Sequence, residues 1–304
     1  MSDDDNWQVT FNHGEEPAAE AREAVEAGIA ALREHSYDFH SMRRAADLGV
    51  ALATPPPPEF KRVEVATDSP AVKDADEAIA REQQAFLDAM SVDVSTPAAG
   101  EAPVFLAAGD AGVASQVFAI PYHYNWRWHQ GAAGLFNLAD LPSGRITLSV
   151  RANRRIDSHA GFGIGVRATH DHWMTARSLR RSSEWCRIQS GATGAVALAE
   201  GGMEMTVMEG ENHVAPRVVD RRFRYRLNPG FLAAPEEVSY DTGGFDTGAP
   251  IEVRWFARAG HTYQVNVGAW VFAEWTTGPH AAGDISRSSA GVVADVLAIT
   301  LFHG

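Results

Sequence analysis

Apolar and polar residues alternate along the chain from Val104 onward. In the segment 146–151, Ile146, Leu148 and Val150 occupy every second position, with Thr, Ser and Arg between them. Alternation with a period of two sends apolar side chains to one face of a β-strand and polar side chains to the other. The same pattern recurs in the segments 160–167, 203–207, 223–227 and 263–269. Short strands separated by Gly, Pro and Asp turns predict an antiparallel β-sandwich of jelly-roll type, with a barrel around a ligand cavity as the alternative.

A further segment, AGVVADVLAITLF at 290–302, does not alternate: it is apolar on both faces apart from Asp295. A strand that buries both of its faces lies between other strands of a sheet rather than at an edge. We therefore expect this strand near the centre of a sheet.

The first hundred residues have helical rather than alternating spacing. Segment 17–34 is rich in Ala and Glu and places one apolar stripe along a helix, made of Ala21, Val25, Gly28, Ile29 and Leu32. A second helix is expected over 38–52, because the four prolines at 55–58 cannot continue it. A third helix is expected after Pro70, which follows a Ser in the N-cap position.

These patterns divide the chain into three regions. Residues 1–58 form an acidic helical region that ends in a proline linker. Residues 59–102 contain a short strand, an amphipathic helix and a second linker. Residues 103–304 form the β-sandwich domain.

Charge separates the N-terminal part from the sandwich. Residues 1–100 hold 20 acidic and 8 basic side chains, a balance of −12, while the remaining 204 residues hold 19 and 18, a balance of −1. The acidic region would repel phosphates, so nucleic acid is not an expected partner. Its apolar helical stripes predict attachment to a protein surface, to further copies of the chain or to a larger assembly.

The sequence begins with MSDDDNWQ, in which no basic segment precedes an apolar one, so no cleaved signal peptide is expected. No run of 18 apolar residues occurs, and no membrane span is predicted. The single cysteine, Cys186, is consistent with a reducing compartment. We expect a cytoplasmic protein, or one that is exported without a cleaved signal peptide.

The stretch PYHYNWRWHQ at 121–130 is the most distinctive candidate site. Aromatic residues occupy every second position from Tyr122 to Trp128, and His123, Asn125, Arg127 and His129 lie between them. The aromatic row suits the core of a sandwich, with the polar row in solvent. An exposed row would instead stack against sugar rings, and the ligand-binding residues would then be Tyr124, Trp126, Arg127 and Trp128.

Two histidine pairs, each an even number of positions apart, suggest a metal site. His123 and His129 lie on one face of the first candidate strand, and His170 and His172 share a face in THDHW. Four imidazoles from neighbouring strands could bind Zn or Fe. The second pair lacks the glutamate that follows the HxH motif of cupins, since Thr175–Arg177 stand at those positions.

Two further motifs have a weaker claim to function. The Asp-Thr-Gly triplets at 241–243 and 246–248 resemble the catalytic loop of aspartic proteases, but they lie five residues apart in one loop. Asp241 and Asp246 are therefore turn residues or ligands of a Ca²⁺ ion. The run GFGIG at 161–165 lies inside an alternating strand, so its glycines are expected to form a smooth face that a backbone or an aromatic ring approaches closely.

These observations favour a non-catalytic protein over an enzyme. A ligand-binding or structural sandwich is expected, with carbohydrate as the first candidate ligand and with N-terminal helices for attachment or oligomerisation. No cofactor is expected, although Zn or Ca remains an alternative. The competing hypothesis is a metal-dependent enzyme that uses the four histidines named above.

Overall fold

The computed structural model describes residues 7–12, 19–34, 115–131, 133–152, 155–190, 196–227, 236–276 and 287–303. Over these ranges the chain forms fourteen β-strands and one helix, α1, at residues 19–34. In this described part, no helix is long and apolar enough to cross a membrane. The predicted helices over 38–52 and after Pro70 lie outside the described residues.

The strands form two antiparallel sheets, each with seven strands among the described residues. Sheet A contains, in spatial order, β1 (Trp7–Phe11), β3 (Tyr124–Gln130), β6 (Arg155–Arg167), β13 (Thr262–Thr276), β8 (Val196–Glu209) and β10 (Val218–Leu227), and β9 (Asn212–His213) also pairs with β8. Sheet B contains β11 (Glu236–Asp241), β7 (His172–Ser190), β14 (Arg287–His303), β5 (Arg145–Ala152) and β4 (Ala133–Asp140), while β12 (Ile251–Ala257) pairs with β7 and β2 (Ser115–Phe118) pairs with β14.

The apolar positions of the alternating segments meet between the two sheets. Ile146 and Leu148 of β5 lie in the same fully buried cluster as Phe162 and Ile164 of β6. Each such side chain contributes about 1.5–3 kcal/mol when it leaves water. The predicted antiparallel sandwich is therefore confirmed, and its core lies where the alternation placed it.

Strand β14 lies at the centre of sheet B, as its sequence predicts. It pairs with β7 on one side and with β5 on the other. Asp295, the one charged residue of its segment 290–302, accepts hydrogen bonds from Arg145 at 2.7 Å and from Arg181 at 2.8 Å. These two arginines come from the neighbouring strands β5 and β7, so the charge of Asp295 is neutralised within the sheet.

Helix α1 packs on the outer face of sheet A, the face that points away from sheet B. Its apolar stripe contributes the buried residues Val25, Ile29 and Leu32, which form one hydrophobic cluster with Trp126 and Met208 of the sheet. The predicted helix is thus present, and its stripe contacts the chain's own sheet. The prediction that N-terminal helices attach the protein to a partner therefore remains for the helices expected after α1, over 38–52 and after Pro70.

Strand β1 is an element that the sequence patterns did not predict. It forms the edge of sheet A, with Trp7 opposite Trp128 and Val9 opposite Trp126. Its alternating residues are few, and they lie in a region whose dominant spacing is helical. The strand extends the aromatic row of β3 by one further strand on the same face.

Candidate functional site

The aromatic row of β3 is buried, but on the opposite side of the sheet from the sandwich core. Trp126 is 2% exposed and pairs with Gly161, whereas its neighbours Asn125 and Arg127 pair with the core residues Phe162 and Ala160. Paired residues in an antiparallel sheet share a face. The rings therefore lie on the outer face beneath α1, and the polar row points to the sandwich side. The expectation that these rings lie in the core between the two sheets is thus wrong, whereas His123 and Arg127 of the polar row are exposed, as expected.

Glycines let the rings of this row lie flat on the sheet. A Cβ atom at Gly163 would lie 2.1 Å from the Tyr124 ring, and one at Gly161 or Gly268 would lie 2.6–2.7 Å from the Trp126 ring. The two side chains therefore extend from β3 across β6 towards β13. This confirms the prediction that GFGIG forms a smooth face for an aromatic ring.

A buried histidine lies at the end of the same face. The imidazole of His159 stacks on Trp128 with the ring centroids 3.8 Å apart. Its Nδ1 lies 2.8 Å from Glu204 Oε1 and its Nε2 lies 3.0 Å from Asp157 Oδ1. The two carboxylates can both accept hydrogen bonds from the His159 ring only when both ring nitrogens carry a proton. This geometry therefore suits an imidazolium.

The electrostatics of this set agree with its geometry. Burial lowers the pKa of His159, but the charges and hydrogen bonds of Asp157 and Glu204 outweigh burial and raise it above the ordinary value. Burial raises the pKa of Glu204, but Arg217 and His159 together lower it below the ordinary value. The set is a desolvated ion network in which each charge has a partner.

The raised pKa of His159 predicts a loss of stability in alkaline solution. Its contribution is fully present below the pKa of an unfolded histidine, about 6.5, and is lost as the pH rises through the folded-state value. We expect the free energy of unfolding, measured with urea between pH 5.5 and 9, to fall over this range. In His159→Gln this fall should be much smaller.

His303 provides the control for the pH dependence of the unfolding free energy. The pKa of His303 is lowered, chiefly by burial and then by the nearby His172 and His170, so its contribution is present above pH ~6.5 and lost as the pH falls. His303→Gln should therefore leave the alkaline decline intact. Equal pH profiles for the wild type and His159→Gln would contradict the assignment of His159.

Beneath α1, several polar atoms of the outer face have no hydrogen-bond partner among the described residues. They are Trp126 Nε1, Trp128 Nε1, Thr206 Oγ1, Gln264 Oε1 and Asn266 Nδ2. Each of these side chains is at most 3% exposed. Thr206 and Asn266 are direct cross-strand partners, and the hydroxyl of Tyr124 donates to Asn266 Oδ1 at 2.8 Å. We call the surface formed by these five residues and Tyr124 the covered face.

A cleft opens where the edge strands of the two sheets meet. It has a volume of about 220 Å³ and is lined by Gln8, Thr10, Asn125, Trp126, Arg127, Leu138 and Ala139. Arg127 donates to Asn137 O at 2.8 Å and to Gln8 Oε1 at 2.6 Å. Asn125 donates to Ala139 O at 2.5 Å, and Gln8 donates to Thr10 Oγ1 at 3.2 Å. We call this the edge cleft, and its polar side chains are held in place by one another and by backbone carbonyls of β4.

The structure does not bring the four predicted histidine ligands together. His123, at the start of β3, accepts a hydrogen bond from the backbone of Gly165 at 3.0 Å. His129, at the other end of β3, has its pKa lowered by burial and then by Arg127 and Arg33. Among the described residues, no three His, Cys, Asp or Glu side chains are arranged to hold a metal ion.

The other histidine pair belongs to a stack of three rings in sheet B. His170 and His172 stack with centroids 4.3 Å apart, and His172 Nε2 lies 2.9 Å from His303 Nδ1. His172 Nδ1 lies 2.7 Å from the carbonyl oxygen of His170, to which it donates a hydrogen bond. The sequence patterns did not associate His303 with this pair, because it lies 131 residues away along the chain.

The two aspartates proposed for Ca²⁺ have other partners. Asp241 Oδ1 accepts from the backbone N–H of Gly243 at 2.7 Å, as turn aspartates commonly do. Asp246 Oδ2 pairs with Arg222 at 2.5 Å. The two carboxylates thus serve a turn and an ion pair, and the described structure does not join them in one site.

Of the predicted ligand-binding residues, Trp126 and Arg127 line the edge cleft, while Tyr124, Trp126 and Trp128 belong to the covered face. Sequence patterns missed His159, Glu204, Thr206, Gln264 and Asn266. The only signal was position: four of them occupy polar positions between apolar residues in β8 or β13, whereas His159 follows Ser158 in β6. Such positions are ordinarily solvent-facing, so the pattern gave no reason to group them.

No protein-family model matches the chain, and no curated protein matches it. Among solved structures, the N-terminal cellulose-binding domain of β-1,4-glucanase C from Cellulomonas fimi is 12% identical over 57% of this chain and 86% of that domain, with a TM-score of 0.18. The family 11 carbohydrate-binding module of Clostridium thermocellum, in complex with a mixed-linked tetrasaccharide, is 10% identical over 64% of this chain and 90% of that module, with a TM-score of 0.15. At such TM-scores these likenesses carry no argument about what this chain binds.

Proposed function

We propose that the protein is a non-catalytic β-sandwich that binds carbohydrate in the edge cleft. The observation that supports this proposal is a set of hydrogen-bonded polar side chains around an open cleft: Arg127, Gln8 and Thr10 are linked to one another, and Asn125 is held by the carbonyl of Ala139. Because their partners already orient them, binding a ligand costs little additional side-chain entropy.

The chemistry of the cleft suits the hydroxyl groups of a sugar. Arg127 has five N–H donors, and the two described hydrogen bonds leave others for a ligand. Amide and hydroxyl groups of Asn125 and Thr10 can both donate and accept, as each sugar hydroxyl does. Leu138 is 41% exposed at the rim and offers an apolar surface to the C–H groups of a ring.

The volume sets the size of ligand that the cleft can take. At about 220 Å³ it is smaller than the roughly 300–1,000 Å³ of pockets that enclose drug-sized molecules. One sugar unit inside the cleft, with the remaining units of an oligosaccharide outside, is the arrangement that we propose.

Replacing Arg127 tests this proposal. Removal of its guanidinium takes away the only cationic donor that lines the described cleft and releases Gln8 from its position. On an array of neutral and acidic oligosaccharides, we expect Arg127→Ala and Asn125→Ala each to bind at least about tenfold more weakly than the wild type, the equivalent of about 1.4 kcal/mol.

Arg254→Ala is the matched control. Arg254 lies over the ring of Trp173 on the outer face of sheet B, away from the cleft. Its loss should leave glycan binding unchanged, while circular dichroism confirms that all three variants are folded. The proposal fails if the wild type binds no oligosaccharide, or if Arg127→Ala and Arg254→Ala bind equally well.

A further inference from the structure

The covered face has the composition of a ligand site rather than of a packing surface. It buries two indole N–H groups, a hydroxyl and two amide atoms that have no hydrogen-bond partner among the described residues. Each unsatisfied buried group costs about 1–3 kcal/mol, and most buried polar groups in proteins are paired. A face that served only to pack α1 would be stabilised by apolar residues at Thr206, Gln264 and Asn266.

Helix α1 does not match the face that it covers. It presents Val25, Ile29 and Leu32 to the aromatic rings, and it provides no partner to the five polar atoms. A helix of this length is marginal by itself in water, so its position depends on these few apolar contacts. Its removal would expose rings that already lie parallel to the sheet on their glycines.

The geometry points to a second binding face, which we propose becomes available when α1 leaves it. Its ligand would be a neutral sugar ring, which offers flat C–H surfaces to Trp126 and Trp128 and hydroxyl groups to Thr206 and Asn266. An ionic ligand is disfavoured because His159, Glu204 and the other charges beside the face are already paired. This inference concerns a different face from the edge cleft and does not depend on Arg127.

Gly28 provides a way to displace the helix without altering the face. A Cβ atom there would lie 3.0 Å from Gly210 O and 3.1 Å from Gln264 Oε1, so α1 approaches the sheet closely at this residue. A leucine side chain is far larger than this gap. Gly28→Leu should therefore lift α1, whereas Ala30→Leu adds the same side chain at an exposed position of the same helix.

The first measurement is acrylamide quenching of tryptophan fluorescence. We expect at least twofold greater quenching in Gly28→Leu than in the wild type, and wild-type quenching in Ala30→Leu. Ile29→Ala, which removes an apolar contact without adding bulk, replaces Gly28→Leu if circular dichroism shows that the latter is unfolded. Unchanged quenching in the folded variant would overturn the inference, since α1 would not be a removable cover.

The second measurement uses an array of neutral oligosaccharides. Gly28→Leu should give at least tenfold greater signal than Ala30→Leu for some neutral glycan, and the gain should persist when Arg127→Ala is added. Adding Thr206→Val should reduce this gain about tenfold. If quenching rises but the array signal does not, the face binds no sugar and the inference is overturned, whether or not the wild type binds through the edge cleft.

Thr206→Val, made both by itself and together with Gly28→Leu, separates a binding role of the Thr206 hydroxyl from a packing role. Valine has the shape of threonine without the unsatisfied hydroxyl, so the variant should be as stable as the wild type or more stable. A binding role requires the array signal of Gly28→Leu to fall when Thr206→Val is added, while thermal stability does not fall. If Thr206→Val lowers stability, the hydroxyl has a structural partner and the inference is contradicted.

Discussion

Gly163→Ala is expected to destabilise the protein by about 3 kcal/mol, because the added methyl group overpacks a face without free space. The new Cβ atom would lie 2.1 Å from the Tyr124 ring, well inside an ordinary van der Waals contact, so the ring has to move away. This movement also breaks the hydrogen bond from Tyr124 to Asn266, which contributes about 1 kcal/mol. Urea unfolding at pH 6 measures the change.

Gly165→Ala is the matched control in the same strand. A Cβ atom at Gly165 meets nothing closer than His123 Nδ1 at 3.9 Å, so the stability should stay within about 0.5 kcal/mol of the wild type. Tyr124→Leu should reduce the cost of Gly163→Ala in the double variant, since the obstructing ring is then absent. Equal effects of Gly163→Ala and Gly165→Ala would show that the ring does not lie on the glycine.

Alternation allowed the inner core of the sandwich to be predicted from sequence. In β5, β6 and β14 the apolar residues at every second position are the ones buried between the sheets. The close approach at GFGIG was predictable for the same reason, because glycine at every second position leaves one face of the strand without side chains. Both predictions depend only on local spacing.

The outer face of sheet A could not be predicted in this way. Period-two spacing separates two faces of a strand, but it does not say which face is covered by another element. Trp126 was therefore assigned to the space between the sheets, although a helix at residues 19–34, more than 90 residues earlier, buries it. Thr206 and Asn266 resemble solvent-facing residues for the same reason.

The candidate sites that the structure supports depend on side chains that lie far apart along the chain. Arg127 lies beside Gln8, 119 residues earlier in the chain, and His159 lies beside Glu204, 45 residues later. No short motif encodes such pairs, since they depend on the order of strands in sheet A. By contrast, the short motifs that suggested metal sites, such as Asp241 and Asp246, serve local turns and ion pairs.

His159→Ala is expected to have the largest effect on stability, with a loss of about 3–5 kcal/mol. The substitution leaves the carboxylates of Asp157 and Glu204 buried without the cation between them. It also removes the ring that stacks on Trp128 at 3.8 Å. Urea unfolding at pH 6, where the histidine is charged, measures the full contribution.

An exposed pair with the same chemistry tests whether burial causes this loss. His261 Nδ1 lies 2.5 Å from Glu209 Oε1, but the two side chains are 41% and 39% exposed. Solvent screens such a pair, so His261→Ala should change stability by at most about 1 kcal/mol. If the stability losses of His159→Ala and His261→Ala differ by less than about 1 kcal/mol, the ion network around His159 is not desolvated. A large difference would show that the ion network holds β6 to β8 across the face on which α1 and Trp128 pack.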